Sequence, residues 1–548
     1  MLVIAKMHRR RPKENITVHS IDLYLLSQSL AMLLLLSIIV LPLLLLLLLA
    51  ASKKRKPWYN GNSSLPPAPW PRLPLVGNLF CLSPTVASLS TALRRLHDAH
   101  GPVVSLWVGG EPAIFIAGRD AAHRALVHMG ATFAHRPATR CGLVNSHGVN
   151  SATYGSRWGL LRRNLSSYLA AAHVQGVLRS STGRLVRILE SAAAGTKDGG
   201  GAVVVAPSET FRHAVFGFFA ALCFGEGVVD DDVLLRRLRG LHVEILSLIV
   251  ELDAFHLVPA ILQVVYYLPS WRKLLSAQKR HHVLVTSLIA ARRRRREEVA
   301  GHDGAEEPPR CYVDTLLGLG LGEDEMVSMC WEYMNAAVKT TTMALEWIMA
   351  RLVLHQDIQQ ELWTDIARRA SGDHTANGGE RRRPFAEAVM LEALRLHPPA
   401  HYLLPHTTDK DVILDGHAIP RGSTVNFSVA SVGRDATLWT DPEEFRPERF
   451  MEGGEGAGVH CASAGGGSSG RPEMLKMMPF GAGRRACPGA AVAVTVLQSF
   501  VEELVRRFVW KPVACGVVEA SSVDMAEKLG IVTEMRTPLR THLVVREK

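Results

Sequence analysis

The sequence predicts a mainly α chain with a small β region, preceded by one N-terminal transmembrane helix. Three observations carry this. An uncharged apolar run fills 30–51. Two short segments between 102 and 118 read as strands joined by a turn. From about residue 119 onward, apolar residues recur mainly at helical spacing. The 548 residues, 47% of them hydrophobic, allow several domains or one large domain behind an anchor.

The elements follow in order. An N-terminal extension, 1–29, carries Lys6, Arg9, Arg10, Arg11 and Lys13. The apolar run 30–51 is 22 residues long, enough at helical rise to cross a bilayer core. Pro42 is tolerable inside a membrane helix. The run is longer than the apolar core of a cleaved signal peptide, so it reads as an anchor. Lys53, Lys54, Arg55 and Lys56 follow at once and place the rest of the chain in the cytosol. A basic, proline-rich linker spans 52–75 and reads as a stiff spacer. Globular patterning starts at Val76, so 76–548 reads as the large domain.

Within that domain, "LVTSLIAARRRRREEV" ends a helix in five arginines, 292–296, which read as a solvated face. Segments 302–310 and 452–473 read as loops. "FHLVPAILQVVYYLPSW", 255–271, reads as core packing interrupted by prolines, or as a loop dipping into a membrane surface. "GLGLG", 318–322, follows no strand and does not spell G-x-G-x-x-G, which excludes a dinucleotide site there. Net charge +11 permits anionic partners. No nucleic-acid-binding signature accompanies it, so nucleic acid is not expected. The eight cysteines form no C-x-x-C pair, so neither a zinc site nor a disulfide framework is expected.

One cysteine stands apart. Cys487 lies in "PFGAGRRACPG", among glycines and arginines and just before an apolar helical pattern. Gly481 and Gly483 permit a tight turn. A helix start and the charges of Arg484 and Arg485 favour a thiolate, which is a nucleophile or a metal ligand. The competing reading is a small buried residue beside a loop.

Four stretches decide between these. Phe480-Gly-Ala-Gly483-Arg-Arg485-Ala-Cys487-Pro-Gly489 fits F-x-x-G-x-R-x-C-x-G. Glu392-Ala-Leu-Arg395 fits E-x-x-R, Pro447-Glu-Arg449-Phe follows, and Trp158-Gly-Leu-Leu-Arg162 precedes both. In this order and spacing the chain resembles the cytochrome P-450 superfamily of haem-thiolate monooxygenases, plant microsomal type. The resemblance implies that family's haem-thiolate fold and haem b, iron protoporphyrin IX, with Cys487 as axial thiolate. It implies that Phe480 packs beside the haem and that Gly483 and Gly489 shape the loop. Arg485, Trp158, Arg162 and His406 would partner the haem propionates. Glu392, Arg395 and Arg449 would form a structural ion network. The reaction implied is RH + O2 + two electrons + two protons giving ROH and water. Electrons would come from an NADPH-dependent flavoprotein reductase docking on a basic surface that includes Lys476 and Arg484. The setting implied is the endoplasmic reticulum membrane, single-pass, with the catalytic domain facing the cytosol.

The chain departs from the family at the oxygen-activating helix, which should read A-G-x-(Asp/Glu)-T. Here it is Ala336-Ala337-Val338-Lys339-Thr340. Thr340 would hydrogen-bond dioxygen, but Lys339 replaces the acid that relays protons. A lysine, with a reference pKa near about 10.4, relays poorly unless burial lowers it. The alternatives are water passing a solvent-facing Lys339, weak or lost turnover on a bound haem, or a haem-thiolate isomerase or dehydratase. On this reading Lys339→Asp alone raises product formed per NADPH consumed. Pocket stretches are expected at 136–155, 333–341, 400–405 and 529–537, with His401, Tyr402 and Glu534 as polar handles. Their largely apolar character favours a small apolar substrate.

Overall fold

The computed structural model describes residues 64–69, 77–78, 86–108, 111–137, 148–170, 174–194, 203–253, 260–303, 309–371, 383–460, 475–513 and 523–546. The extension 1–29 and the apolar run 30–51 lie outside them, as does most of the linker. Among the described residues, no helix is long and apolar enough to cross a membrane.

Helix α1, Val86–His100, leads into the antiparallel pair β1, Val103–Val108, and β2, Glu111–Ile116. Then come α2, Ser156–Leu169, α3, Val174–Ala194, and the short β3, Val203–Val205. Helices α4, Ser208–Phe224, α5, Asp232–Asp253, and α6, Ala260–Asp303, precede the 32-residue α7, Glu323–Leu354. Next are α8, Gln356–Ala370, and α9, Phe385–Leu396. Strands β4, His406–Thr407, β5, Val412–Leu414, β6, His417–Ile419, and β7, Thr424–Phe427, follow. The chain closes with α10, Ala490–Arg507, β8, Phe508–Pro512, β9, Glu527–Lys528, β10, Glu534–Met535, and β11, Thr541–Val545.

Helices α4, α7, α9 and α10 form the centre. Every residue of α9 except Glu387 is buried, which is why its sequence reads apolar nearly all round. Helix α7 opens on Glu323, Asp324 and Glu325, acids that complement the positive end of its dipole. Its second half, from Thr341 to Val353, is almost wholly buried, whereas 335–340 is not.

Four expectations need correction. Among the described residues the largest sheet is not confined to the two strands expected between 102 and 118. It has the order β1-β2-β7-β4, with β7 parallel to β2 in the register Ile114 to Val425, so half its strands come from beyond residue 400. The proline segment 64–69 is not a free spacer. Proline carbonyls still accept hydrogen bonds, and Pro66 and Pro67 each accept one from Ser105 at 2.7 Å. The arginine run is not wholly solvated, since Arg292 is buried and donates twice to Asp314, both at 2.7 Å. Pro269 does not break its helix but lies inside α6.

The loop 452–473 is part of the packed structure as far as residue 460. Glu455 there accepts from Arg449 and, at 2.5 Å, its carbonyl accepts from Lys476. The side chains of 255–267 and the residues 304–308 lie outside the description.

Candidate functional site

The Cys487 loop is set by its own backbone. Gly481 and Gly483 have φ of +72° and +68°, where side chains are strained. A Cβ on Gly483 would also stand 1.8 Å from the Leu126 carbonyl oxygen. The Cys487 N–H donates to the Phe480 carbonyl at 2.8 Å, which folds the loop back on itself. Gly489 caps α10. Cys487 is half-buried, and desolvation raises its thiol, opposed by the Gly489 backbone and by Arg162. This corrects the expected source of positive charge. Arg162, from α2, acts on the sulfur, while Arg484 donates to the Tyr154 hydroxyl at 2.6 Å on the exposed side.

Three guanidinium groups gather beside this loop. Arg485 donates to the carbonyls of Ala134, Val149 and Ala152 at 2.7, 2.8 and 2.6 Å. It stands 4.6 Å over the Trp158 ring, and Arg162 lies 5.6 Å from the same ring. Arg162 donates to the Ala486 carbonyl at 2.6 Å. Arg136 donates to Asn150 at 3.0 Å and to Leu404 and Pro405, both at 2.8 Å.

Burial lowers all three, Arg136 to about 10 and Arg485 to about 9, and Arg485 is lowered further by Arg136 and Arg162. Among the described residues none of the three forms an ion pair with a carboxylate. The fields of Arg485 and Arg136 do reach Glu332 on α7. Glu332 accepts the Asn150 N–H at 2.8 Å, and burial pushes its carboxyl up to about 7.

Trp158 is buried and its Nε1–H donates to the Val149 carbonyl at 3.0 Å. His406 is buried, and its Nδ1–H donates to the Phe133 carbonyl at 2.6 Å. Burial, with Arg136 and Arg485 nearby, lowers it to about 3, so it is neutral at ordinary pH.

Glu392, Arg395 and Arg449 meet in the interior. Arg395 donates to both Glu392 oxygens at 2.6 and 2.8 Å, and Arg449 to one at 3.3 Å. Arg395 also holds the carbonyls of Gly433, Pro442 and Glu444 at 2.9, 2.6 and 3.0 Å. The triad therefore ties α9 to the irregular segment leading toward Cys487.

On α7 the half-exposed stretch holds Thr340, whose hydroxyl donates to the Ala336 carbonyl at 2.7 Å. Lys339 Nζ lies 2.5 Å from Glu534 Oε1 on β10. Contacts thus join the expected pocket stretches in pairs. His401 and Tyr402 are engaged elsewhere: His401 lies 3.0 Å from Glu527, and Tyr402 packs edge-on to Phe115 at 5.9 Å. Arg136 lies at the start of the expected stretch 136–155 and Glu332 just outside 333–341, but neither was singled out from sequence, because their partners are distant in the chain.

A thiol in a glycine turn, beside three half-buried cations lacking a carboxylate partner among the described residues, fits a metal-bearing group with its own carboxylates. The Cytochrome P450 family pattern matches residues 67–531. This chain is a cytochrome P450.

Cytochrome P450 89A9 of Arabidopsis thaliana is 32% identical over 509 residues, covering 88% of this chain and 94% of its own. Ent-cassadiene hydroxylase of Oryza sativa subsp. japonica is 29% identical over 496 residues, covering 87% and 91%. Flavonoid 3'-monooxygenase of Arabidopsis thaliana is 26% identical over 505 residues, covering 88% and 91%. In fold, the chain resembles the retinoic acid bound cyanobacterial CYP120A1, with TM-score 0.67, 19% identity and coverage of 89% and 100%. A zebra fish cytochrome P450 solved with progesterone gives TM-score 0.64, 22% identity and coverage of 83% and 99%. As a P450, the protein is an oxygen-incorporating oxidoreductase whose cofactor is a haem-thiolate iron protoporphyrin.

Proposed function

We propose that this P450 hydroxylates a largely apolar small organic substrate, with electrons from an NADPH-dependent flavoprotein reductase. The observation that carries the reading is the Cys487 loop with its cluster of half-buried arginines. Bound haem supplies the iron that activates dioxygen. Cys487 would hold that iron and Phe480 would pack beside it. Gly483 lets the loop approach Leu126, and Gly489 aims its N–H at the sulfur. Arg485 and Arg162 are donors suited to two propionates, with Arg136, at the start of the expected stretch 136–155, as a further cation, whereas the Trp158 N–H is already used by the Val149 carbonyl. His406 fits this role less well. It is neutral and already uses its Nδ1–H, so Nε2 could only accept.

The similarity to a hydroxylase and a monooxygenase supports insertion of oxygen at a carbon skeleton. The apolar run 30–51 and the basic cluster after it support a single-pass anchor in the endoplasmic reticulum membrane, with 76–548 in the cytosol. Arg484 is exposed and suits an acidic reductase face, whereas Lys476 is partly taken up by Glu455. Lys339 beside Thr340 favours one further reading, a bound haem with weak turnover.

The test is the reduced carbon-monoxide difference spectrum of the full chain in membranes, beside Cys487→Ala, with reductase-driven NADPH oxidation. A thiolate-type Soret band abolished by Cys487→Ala is expected, with NADPH consumption in the parent only. No band in folded protein would overturn the reading. A band without NADPH consumption would establish the weak-turnover alternative.

A further inference from the structure

The half-exposed stretch 335–340 of α7 carries few groups able to move a proton. They are the Asn335 amide, the Lys339 ammonium and the Thr340 hydroxyl. The Thr340 hydroxyl points its proton at the Ala336 carbonyl, so its oxygen is left to accept and needs a donor. Between Glu332 and Glu346 the helix has no carboxylate. The carboxylate at this place comes from another element. Glu534 on β10 stands 2.5 Å from Lys339 Nζ, and both side chains reach solvent, at 26% and 36% exposure.

This contact is built into the frame. Thr533, next to Glu534, accepts through its carbonyl from Trp347 Nε1 at 3.3 Å, and Trp347 is on the helix that carries Lys339. The Thr533 N–H donates to Pro399 at 2.8 Å. Trp347 stacks on His397 at 4.1 Å and 5°. His397 in turn lies 3.0 Å from Glu527, which pairs with Met535 across β9 and β10. Leu539 N–H donates to the buried Glu346 of α7 at 3.2 Å. The hairpin is thus fixed to α7 on both sides of Glu534, unlike an ordinary surface ion pair with two free side chains.

We propose that Glu534 is the acid of this P450's proton delivery, acting through Lys339, so that the carboxylate has moved from the helix to the hairpin. This rests on the monooxygenase reading above. A Lys339 N–H bond breaks as an O–H bond forms on a solvent water at this half-exposed stretch, and that water carries the proton onward past Thr340. The freed Nζ lone pair takes a proton from the Glu534 carboxyl, which solvent has protonated. Ammonium and carboxylate are then restored, with no net redox change. Glu534 is here a positioning and proton-supplying residue. The expectation from sequence for Lys339→Asp also changes, because that substitution alone sets two carboxylates against each other.

Two measurements decide it. The first needs no turnover: acylation of Lys339 by acetic anhydride, read by mass spectrometry, in the parent and in Glu534→Gln. Loss of the carboxylate should raise Lys339 reactivity by about tenfold, because Nζ is then no longer held against Glu534 Oε1. Equal reactivity would overturn the contact itself. The second is the rate of water formation from O2 with NADPH and reductase, alongside peroxide.

In Glu534→Gln, with Soret band and unfolding midpoint unchanged, water formation should fall by about tenfold or more and peroxide should rise. The exchange Lys339→Glu with Glu534→Lys should restore it to within about threefold, while Lys339→Asp alone should not raise it. Water formation at the parent rate in Glu534→Gln would overturn the relay. Should Glu534→Gln lose its haem, Glu534→Asp replaces it, and the proposal then requires parent-like water formation there and its loss in Glu534→Ala. A parent lacking the thiolate band would sink the monooxygenase reading instead, while the acylation result would still stand.

Discussion

The Cys487 side and the Thr340 side of this P450 are built by different means. The Cys487 loop is shaped by short-range backbone geometry, two positive-φ glycines and a closing N–H to Phe480, and is braced from behind by the Glu392 triad. The Thr340 side is shaped by side chains from far along the chain, with Lys339 meeting Glu534 and Glu332 meeting Asn150. The comparison teaches that the turn of the Cys487 loop is set by local conformation. The Thr340 stretch is faced by charges that the fold brings together.

Removing the brace should have the largest effect. Glu392→Ala leaves two buried guanidinium groups without their shared carboxylate, which should cost about 3–5 kcal/mol. Denaturant unfolding of the holoprotein, with haem release followed in parallel, measures this. A loss confined to the Thr340 side would break the comparison.

Gly483→Ala should come next, at about 2–3 kcal/mol, since it strains a positive φ and drives a methyl into the Leu126 carbonyl. The loop should loosen, and the Cys487-dependent Soret band should weaken while the Lys339 acylation rate stays at the parent value. A normal band would mean that the loop is not set locally.

The smallest effect should be at Glu332. Its carboxyl is raised from 4.5 to about 7 by burial, so the folded state holds the proton more tightly than the unfolded one. Its contribution to stability is therefore greatest below pH about 4.5 and is lost as pH rises through about 7. Glu332→Gln cannot ionise. Relative to the parent it should gain on the order of 1–2 kcal/mol between pH 5 and pH 8. A flat difference across that range would show that Glu332 is not electrostatically stressed.

Much of the first half was legible. The F-x-x-G-x-R-x-C-x-G run states its own turn, because glycine at positive φ and a cysteine before a helix are local properties. Glu392 and Arg395 are three apart on one helix and had to be neighbours if that helix formed. The strands near 103–116 were legible as two short segments joined by a turn. Arg136, Glu332 and the buried Arg292–Asp314 pair were not legible, since a charged residue in isolation reads as solvated. The docking of 64–69 was hidden too, because prolines show what a segment cannot donate, not what its carbonyls will accept.

The sequence by itself determined the family and the mostly helical architecture and singled out Cys487, because these rest on local geometry repeated at fixed spacing. It also exposed Lys339 as a departure. Only the tertiary structure decided what Lys339 faces, which cations crowd Arg485 and that His406 is neutral. These depend on burial and on charges brought together from distant segments, and electrostatic energy follows distance in space, not separation along the chain.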